Sequence, residues 1–195
     1  FSKIEEFILE RPYCQLVTQS VQNKTHIGIF NPIYENKTIY LHLTRSDEQI
    51  SDLKLQPQAK IIFHEFLANI PSYWVDPRNA GVATSYYRYA ELDCRVEIHQ
   101  ESEQLLSLFE GLMARFQKEG KYETISPQNP IYKKAFETLA IVKCTPFAHR
   151  SKFKLGQNRP TEIRKKVAQH LKERGLPGDL KAAELILSSL SLLRG

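Results

Sequence analysis

The first part of the chain is a series of short strand-like segments joined by tight turns. Residues 13–21, 25–34 and 38–43 are rich in β-branched and aromatic side chains, and the turn sequences Gln-Asn-Lys and Glu-Asn-Lys separate them. Strands joined by connections this short run antiparallel. The pattern therefore predicts an antiparallel meander and argues against an all-helical bundle.

The rest of the chain alternates further strands with helices. Six or seven antiparallel strands must bury or close their sheet edges, and closure into a barrel is the expected solution for a chain of 195 residues. The prediction is a mainly β fold with α-helices (α+β), with a barrel domain over residues 1–158 and a helical pair over residues 159–195 that packs on the barrel or on a partner. Strands are predicted at 59–67, 82–99, 138–145 and 148–154, and helices at 46–55, 101–118, 131–137, 161–174 and 179–193.

Cysteine and histidine spacing exclude several classes of protein. Cys14, Cys94 and Cys144 are far apart and odd in number, so neither a disulfide framework nor a zinc site is expected, and a reducing compartment is indicated. The six histidines show no metal-binding spacing, so no metal is expected.

No apolar run approaches the ~20 residues that span a bilayer, and the first residues lack a signal-peptide core. We expect a cytoplasmic protein without a membrane partner.

Positive charge is concentrated in one segment. The formal net charge is +5, yet residues 150–166 carry seven Lys or Arg side chains against one Glu. Within this segment strand propensity stops at Gly156, and Pro160 begins a helix. The free N–H groups of a helix start, together with Lys154 and Arg159, would bind an anion. The alternative is a well-capped helix with solvated basic side chains.

A second strand-to-helix turn has the same layout. After His42, the residues Thr44, Arg45 and Ser46 supply hydroxyl groups and a guanidinium, which can bind phosphate through two hydrogen bonds. The alternative is an ordinary helix cap formed by Ser46 or Thr44.

Residues that would perform acid–base or nucleophilic catalysis are not recognisable. The sequence has no glycine-rich phosphate loop, no nucleophile elbow and no Ser/His/Asp set. Aromatic and hydroxyl side chains at 72–74 and 84–87 would flank a planar ring if they lie on neighbouring strands, although a core or dimer interface uses such residues equally well.

Several of these segments resemble one family. Residues 154–159, Lys-Leu-Gly-Gln-Asn-Arg, closely resemble the Lys-Leu-Ser-Gln-Asn-Arg of the PaiB-type FMN-binding proteins, which belong to the pyridoxamine 5'-phosphate oxidase-like split-barrel group. Residues 41–46 resemble its Gly-His-Leu-Ala-Arg-Ala-Asn, with His42 and Arg45 in register, and residues 25–27 resemble its Thr-His-Leu-Pro. Residues 82–87 stand where that family has Val-Pro-Thr-Trp-Asn-Tyr, and they keep only part of it, including Thr84 and Tyr87.

The resemblance implies an FMN-binding split β-barrel with flanking helices that forms a homodimer, with FMN in clefts at the subunit interface. It implies no catalytic residue. The cofactor-binding candidates are His42, Thr44, Arg45, Ser46, Thr84, Lys154, Gln157, Asn158 and Arg159.

Three functions remain open from the sequence. The first is a flavin-dependent oxidoreductase, for which a nicotinamide is the candidate electron donor. The second is a transcriptional regulator, with DNA as the partner of the basic helix at 161–174. The third is a barrel without cofactor that serves as an interaction module. The basic residues of that helix are Arg164, Lys165, Lys166, Lys172 and Arg174.

Overall fold

The fold is a seven-stranded sheet with flanking helices. The computed structural model describes residues 2–191. The strands are β1 (Cys14–Gln19), β2 (Thr25–Phe30), β3 (Ile33–Glu35), β4 (Thr38–Thr44), β5 (Gln58–Ile70), β6 (Thr84–His99) and β7 (Leu139–Lys154). Their order in the sheet is β2-β1-β5-β6-β7-β4-β3. The helices are α1 (Ser2–Glu10), α2 (Glu48–Leu55), α3 (Ser102–Phe116), α4 (Lys133–Thr138), α5 (Thr161–Arg174) and α6 (Asp179–Ser191).

Two tight hairpins match the turns that the sequence predicts. β1 pairs antiparallel with β2, and Asn23 in their turn has a φ of 61°. β3 pairs antiparallel with β4 through Asn36 and Lys37, which both have positive φ. Two consecutive residues of positive φ suit a two-residue hairpin, because its twist then matches that of the strands.

The predicted strand at 25–34 is wrong in its extent. The structure divides it at Asn31 and Pro32, and the resulting β2 and β3 stand at opposite ends of the strand order. Proline has no N–H to donate to a sheet ladder, so it interrupts pairing there. The two strands predicted at 138–145 and 148–154 are instead one strand, β7. The last predicted helix begins at Asp179 as expected, but Leu192 and Leu193 lie outside the described residues.

The described chain separates into two compact units. The first contains the residues up to Phe63 together with Ala90–Arg150. Its core includes Leu16, Ile39 and Phe63, which are fully buried. On α3, Leu105, Leu108 and Leu112 are buried in a cluster with residues of α4 and β7.

The second unit contains His64–Tyr89 and the described residues from Ser151 onward. Its core joins the ends of β5 and β6 to α5 and α6, with Leu67, Tyr86, Leu171 and Ile186 buried in one cluster. Gly175 ends α5 in the left-handed conformation, as a C-terminal glycine commonly does. Packing of these two helices against β5 and β6 therefore holds the turn between β7 and α5.

No helix between residues 2 and 191 is long and apolar enough to cross a membrane.

Candidate functional site

The turn between β7 and α5 leaves the start of α5 without a side-chain cap. The N-terminal flanking residue of α5 is Pro160, which forms no capping hydrogen bond. The backbone N–H of Arg164 closes the first helical turn on the carbonyl of Pro160. The preceding N–H groups of the helix have no partner in the helix itself and carry the positive end of its dipole. This geometry suits an anion.

The Gln157 side chain forms hydrogen bonds within the turn. Its side-chain oxygen accepts a hydrogen bond from the Leu155 N–H at 2.8 Å, and its amide nitrogen donates to the Phe153 carbonyl. The Arg159 N–H also closes the turn on the Gly156 carbonyl at 2.9 Å. The Gln157 side chain, a predicted cofactor contact, is therefore engaged with the backbone on both of its polar atoms.

A cavity of about 170 Å³ lies beside this turn, within the second unit. Four of the predicted cofactor-binding residues line it, namely Thr84, Lys154, Asn158 and Arg159. The Lys154 ammonium donates to the Thr84 hydroxyl at 2.5 Å and lies 5.9 Å from the centre of the Tyr87 ring. No Asp or Glu lines the cavity, and the Arg159 guanidinium forms no ion pair with any residue that the structure describes. The walls therefore carry uncompensated positive charge.

Tyr86 and Arg164 complete this charged environment, and neither is among the cofactor-binding residues that the sequence predicts. The Tyr86 ring is 2% exposed and lines the cavity. Burial raises the pKa of its hydroxyl, while the nearby positive charges of Arg164 and Arg159 act in the opposite direction. The hydroxyl thus stays protonated at neutral pH and can donate a hydrogen bond.

Arg164 is a buried cation that forms no ion pair with a carboxylate of the described residues. Only 3% of the residue is exposed, and its guanidinium donates to the Ser189 hydroxyl. Its Nε atom is buried and has no hydrogen-bond partner between residues 2 and 191. A buried charge is costly unless it is paired, so the arrangement favours an anion close by. The sequence signal was present, because Arg164 falls in the first turn of α5, but periodicity alone does not show that it points inward.

The residues predicted around the second turn lie in the first unit, where the structure gives them local roles. The Arg45 guanidinium donates to the carbonyls of Leu139 at 3.0 Å, Phe136 at 3.1 Å and Gln100 at 3.4 Å. Thr44 and Ser46 are exposed. Most of the Arg45 hydrogen-bonding capacity therefore serves the backbone.

His42 is partly buried in the same unit, edge-on to Phe109 with ring centres 6.2 Å apart. Burial lowers the pKa of the imidazole, so it is neutral at pH 7, and its buried Nδ1 has no described partner. Asp47 caps α2 by accepting from the Gln49 N–H at 2.8 Å, so the capping role considered for Ser46 or Thr44 is wrong.

Comparison with known proteins decides the family. The sequence matches the model of the family described as "Putative FMN-binding domain" over residues 1–143. The chain belongs to this family. Its cofactor is FMN. The turn at 154–159 follows the matched residues, so its role rests on its own geometry. No curated protein matches the sequence.

Solved structures show the fold of this FMN-binding domain. The FAD and heme binding protein from Mycobacterium smegmatis matches with a TM-score of 0.64 at 10% identity, over 83% of this chain and 75% of that chain. The flavocytochrome Anf3 from Azotobacter vinelandii matches with 0.60 at 15% identity, over 78% of this chain and 66% of that chain. A "Putative Pyridoxamine 5'-phosphate oxidase" from Listeria innocua matches with 0.52 at 11% identity, over 77% and 95%. The FMN-binding domain thus has the split-barrel fold of pyridoxamine 5'-phosphate oxidase-like proteins.

The cavity beside the turn fits one end of FMN. Uncompensated cations, a hydroxyl donor and free helix N–H groups are the donors that a phosphate requires. A volume of about 170 Å³ is well below the ~300 Å³ at which pockets for whole organic ligands begin. The cavity is therefore large enough for a phosphate and too small for the flavin ring system.

Proposed function

We propose that this chain is a PaiB-type FMN protein that holds the FMN phosphate at the turn between β7 and α5 and acts in oxidation–reduction. The observation that carries the proposal is the cavity of the second unit, whose walls combine Lys154, Arg159 and the Tyr86 hydroxyl without any carboxylate. A surface of ordinary solvated lysines would include acidic neighbours and would not contain a buried guanidinium such as Arg164.

Each residue would have a distinct task. Arg159 is free to bind phosphate through two hydrogen bonds, while Lys154 contributes charge from a position fixed by Thr84. Arg164 is held from behind by Ser189 and would act through the field it adds to the cavity. Gln157 would keep the turn closed. Bound FMN supplies the redox chemistry, and the protein supplies position and electrostatics.

Two departures from the PaiB pattern explain each other, which supports this assignment. Gly156 stands where that pattern has serine, and Tyr86 stands where it has asparagine. Gly156 has a φ of +72°, and a Cβ atom built on it would collide with the Tyr86 hydroxyl. A larger residue at 86 therefore requires the smallest residue at 156. The cavity therefore keeps a polar hydrogen-bond donor, the Tyr86 hydroxyl, although the serine and the asparagine of the pattern are both absent.

The size of the cavity supports a homodimer. If the phosphate fills about 170 Å³, the flavin ring needs walls that this cavity does not provide. We propose that a second copy of the chain provides some of them. Light scattering coupled to size-exclusion chromatography should then give twice the 22.6 kDa mass of the chain. A monomer in the presence of FMN would contradict the dimer.

The redox role rests on the fold and the cofactor rather than on a catalytic residue. The flavocytochrome Anf3 has the same fold, but folds carry many functions, so this is an analogy. Bleaching of the flavin absorbance by NADH or NADPH under anaerobic conditions would support a nicotinamide donor.

A role in DNA binding has less support in the charges of α5. Of its five basic residues, Arg164 is buried and Arg174 forms an ion pair with Asp179 at 2.6 Å. Lys165 lies 2.9 Å from Glu162. Few cations therefore remain for phosphates along a DNA groove.

The test of the phosphate site compares FMN with riboflavin, which lacks the phosphate. Charge-assisted hydrogen bonds contribute about 1.5–3 kcal/mol, so Arg159→Gln should weaken FMN binding by roughly 10- to 150-fold. Riboflavin binding should be unchanged. Quenching of flavin fluorescence on titration with protein measures both dissociation constants.

Lys166→Gln is the matched control, because it removes one positive charge from an exposed position on the same helix. It should leave both constants within a factor of about two, as expected for a screened surface charge. If Arg159→Gln weakens riboflavin as much as FMN, or weakens neither, the phosphate does not bind at this turn.

A further inference from the structure

A second cavity, of about 300 Å³, lies within the first unit. Ile33 of β3 pairs with Tyr40 of β4, and Tyr40 pairs with Lys143 of β7, so these three residues form a row across the sheet. Leu108 of α3 and Ile141 of β7 complete an apolar floor with Ile33. The cavity therefore lies between this face of the sheet and α3.

Several polar side chains around this apolar floor have no hydrogen-bond partner among the described residues. Glu35, Tyr40, Gln104 and Ser107 line the cavity, and their side chains form no hydrogen bond with any other residue of the described chain. His99 also lines it, and its Nε2 atom is buried without a hydrogen-bond partner in the described structure. An apolar floor with a few convergent polar groups is the usual composition of a small-molecule site.

The charges around the cavity favour a cation. Lys143 is already bound to Glu97, with Nζ and Oε1 2.8 Å apart, and this hydrogen bond lowers the pKa of Glu97. His99 lies between the carboxylates of Glu97 at 3.6 Å and Glu101 at 3.8 Å. The Glu35 carboxylate at the rim forms no ion pair with a residue of the described range. Carboxylates thus outnumber cations, and Glu35 is the one that a ligand can pair with.

We propose that this cavity binds a small organic amine, with its ammonium group at Glu35 and its apolar body on Ile33, Leu108 and Ile141. A volume of about 300 Å³ accommodates roughly ten non-hydrogen atoms if each takes the ~30 Å³ of a water molecule. The Tyr40 ring adds an aromatic face beside the cation, and the hydroxyl of Ser107 and the amide of Gln104 can accept its remaining hydrogens. This site is separate from the proposed phosphate site, and neither proposal depends on the other.

The experiment uses 2-phenylethylamine as the probe and 2-phenylethanol as its uncharged analogue of the same shape. Isothermal titration calorimetry on the wild-type chain should give a dissociation constant for the amine about fivefold lower than for the alcohol, the size expected for a partly exposed ion pair. In Glu35→Gln this advantage should disappear, while alcohol binding stays the same. Ser107→Trp, which places a large ring at the wall of the cavity, should abolish binding of both compounds.

Glu103→Gln is the matched control, because Glu103 is an exposed carboxylate of α3 that does not line the cavity. It should retain the preference for the amine. Arg159→Gln should also retain it, which separates this result from the fate of the phosphate site. If the amine binds no more tightly than the alcohol, if neither binds at millimolar concentration, or if Glu35→Gln keeps the preference while remaining folded by circular dichroism, the proposal is overturned.

Discussion

The packing of Tyr86 against Gly156 can be tested quantitatively through the stability of the second unit. Gly156→Ala introduces two costs. The φ of +72° is a conformation that costs an L-residue with a Cβ about 1–2 kcal/mol. The new methyl group must also displace the Tyr86 hydroxyl, and overpacking of this kind costs about 1–3 kcal/mol. The free energy of unfolding should therefore fall by about 2–5 kcal/mol.

Gly175 separates the two costs. Its φ is +65°, and an added Cβ would have no neighbour within 4 Å. Gly175→Ala should therefore show the backbone cost alone, about 1–2 kcal/mol. A Tyr86→Phe background removes the nearest obstructing atom but leaves a ring carbon 3.0 Å from the new Cβ. Gly156→Ala should therefore cost less there than in the tyrosine protein, and somewhat more than Gly175→Ala does. The coupling energy between positions 86 and 156 should then be part of the steric cost of about 1–3 kcal/mol.

Urea denaturation followed by tryptophan fluorescence is a suitable assay, since Trp74 is the single tryptophan and lies buried in the core of the second unit. The wild type, Gly156→Ala, Tyr86→Phe, the double variant and Gly175→Ala would be compared. A shift of the urea midpoint at unchanged m-value then reports a change in stability. If Gly156→Ala costs no more than Gly175→Ala, or costs the same with phenylalanine at position 86, steric exclusion by the tyrosine is refuted.

Two further outcomes follow from buried groups of the first unit. Burial raises the pKa of Cys14 and of Cys94 to about 12, and it also holds the pKa of Cys144 well above its ordinary value. None of the three thiols should therefore react with Ellman's reagent at pH 8 until denaturant is added, and rapid reaction in the native protein would contradict their burial. Burial opposes ionisation of Asp52, but hydrogen bonds from His26 and Thr18, each 2.7 Å long, prevail and hold its pKa below the usual value. The Asp52 carboxylate therefore stabilises the fold above about pH 4, and this stabilisation is lost as the pH falls through its lower folded-state pKa. Asp52→Asn should be less stable than the wild type at pH 7 and should lose less stability on acidification. Urea midpoints between pH 7 and pH 3 measure both effects. An unchanged pH dependence in that variant would show that other carboxyl groups are responsible.

Much of the fold follows from local patterns in the sequence. The helix at 161–174 has the predicted bounds, because proline and glycine mark its two ends. The hairpin turn at Asn36 and Lys37 follows from the polar Glu-Asn-Lys sequence between two strand-like segments, since asparagine is common in tight turns. The split between β2 and β3 depends on Pro32, which the apolar pattern of residues 25–34 concealed.

The candidate site was only partly visible in the sequence. Lys154 and Arg159 were found because their charges are close together along the chain. Tyr86 lies about 70 positions from Gly156 in sequence, and only folding shows that its hydroxyl fills the space beside that glycine. The sequence also could not show that Cys14 and Cys94 lie close enough to Cys144 to oppose the ionisation of its thiol. Long-range contacts of this kind need the pairing of strands to be known first.

The uncapped start of α5 and the cations beside it also affect the stability of the flavin-free protein. Lys154, Arg159 and Arg164 repel one another in the folded chain, and the repulsion is relieved in the unfolded chain, where they move apart. Any small oxyanion in the solvent that occupies this place binds the folded form alone and shifts the folding equilibrium toward it. Sulfate or inorganic phosphate in a buffer would thus act as a surrogate ligand. The thermal stability of the flavin-free chain is consequently a property of the chain together with the anions dissolved around it.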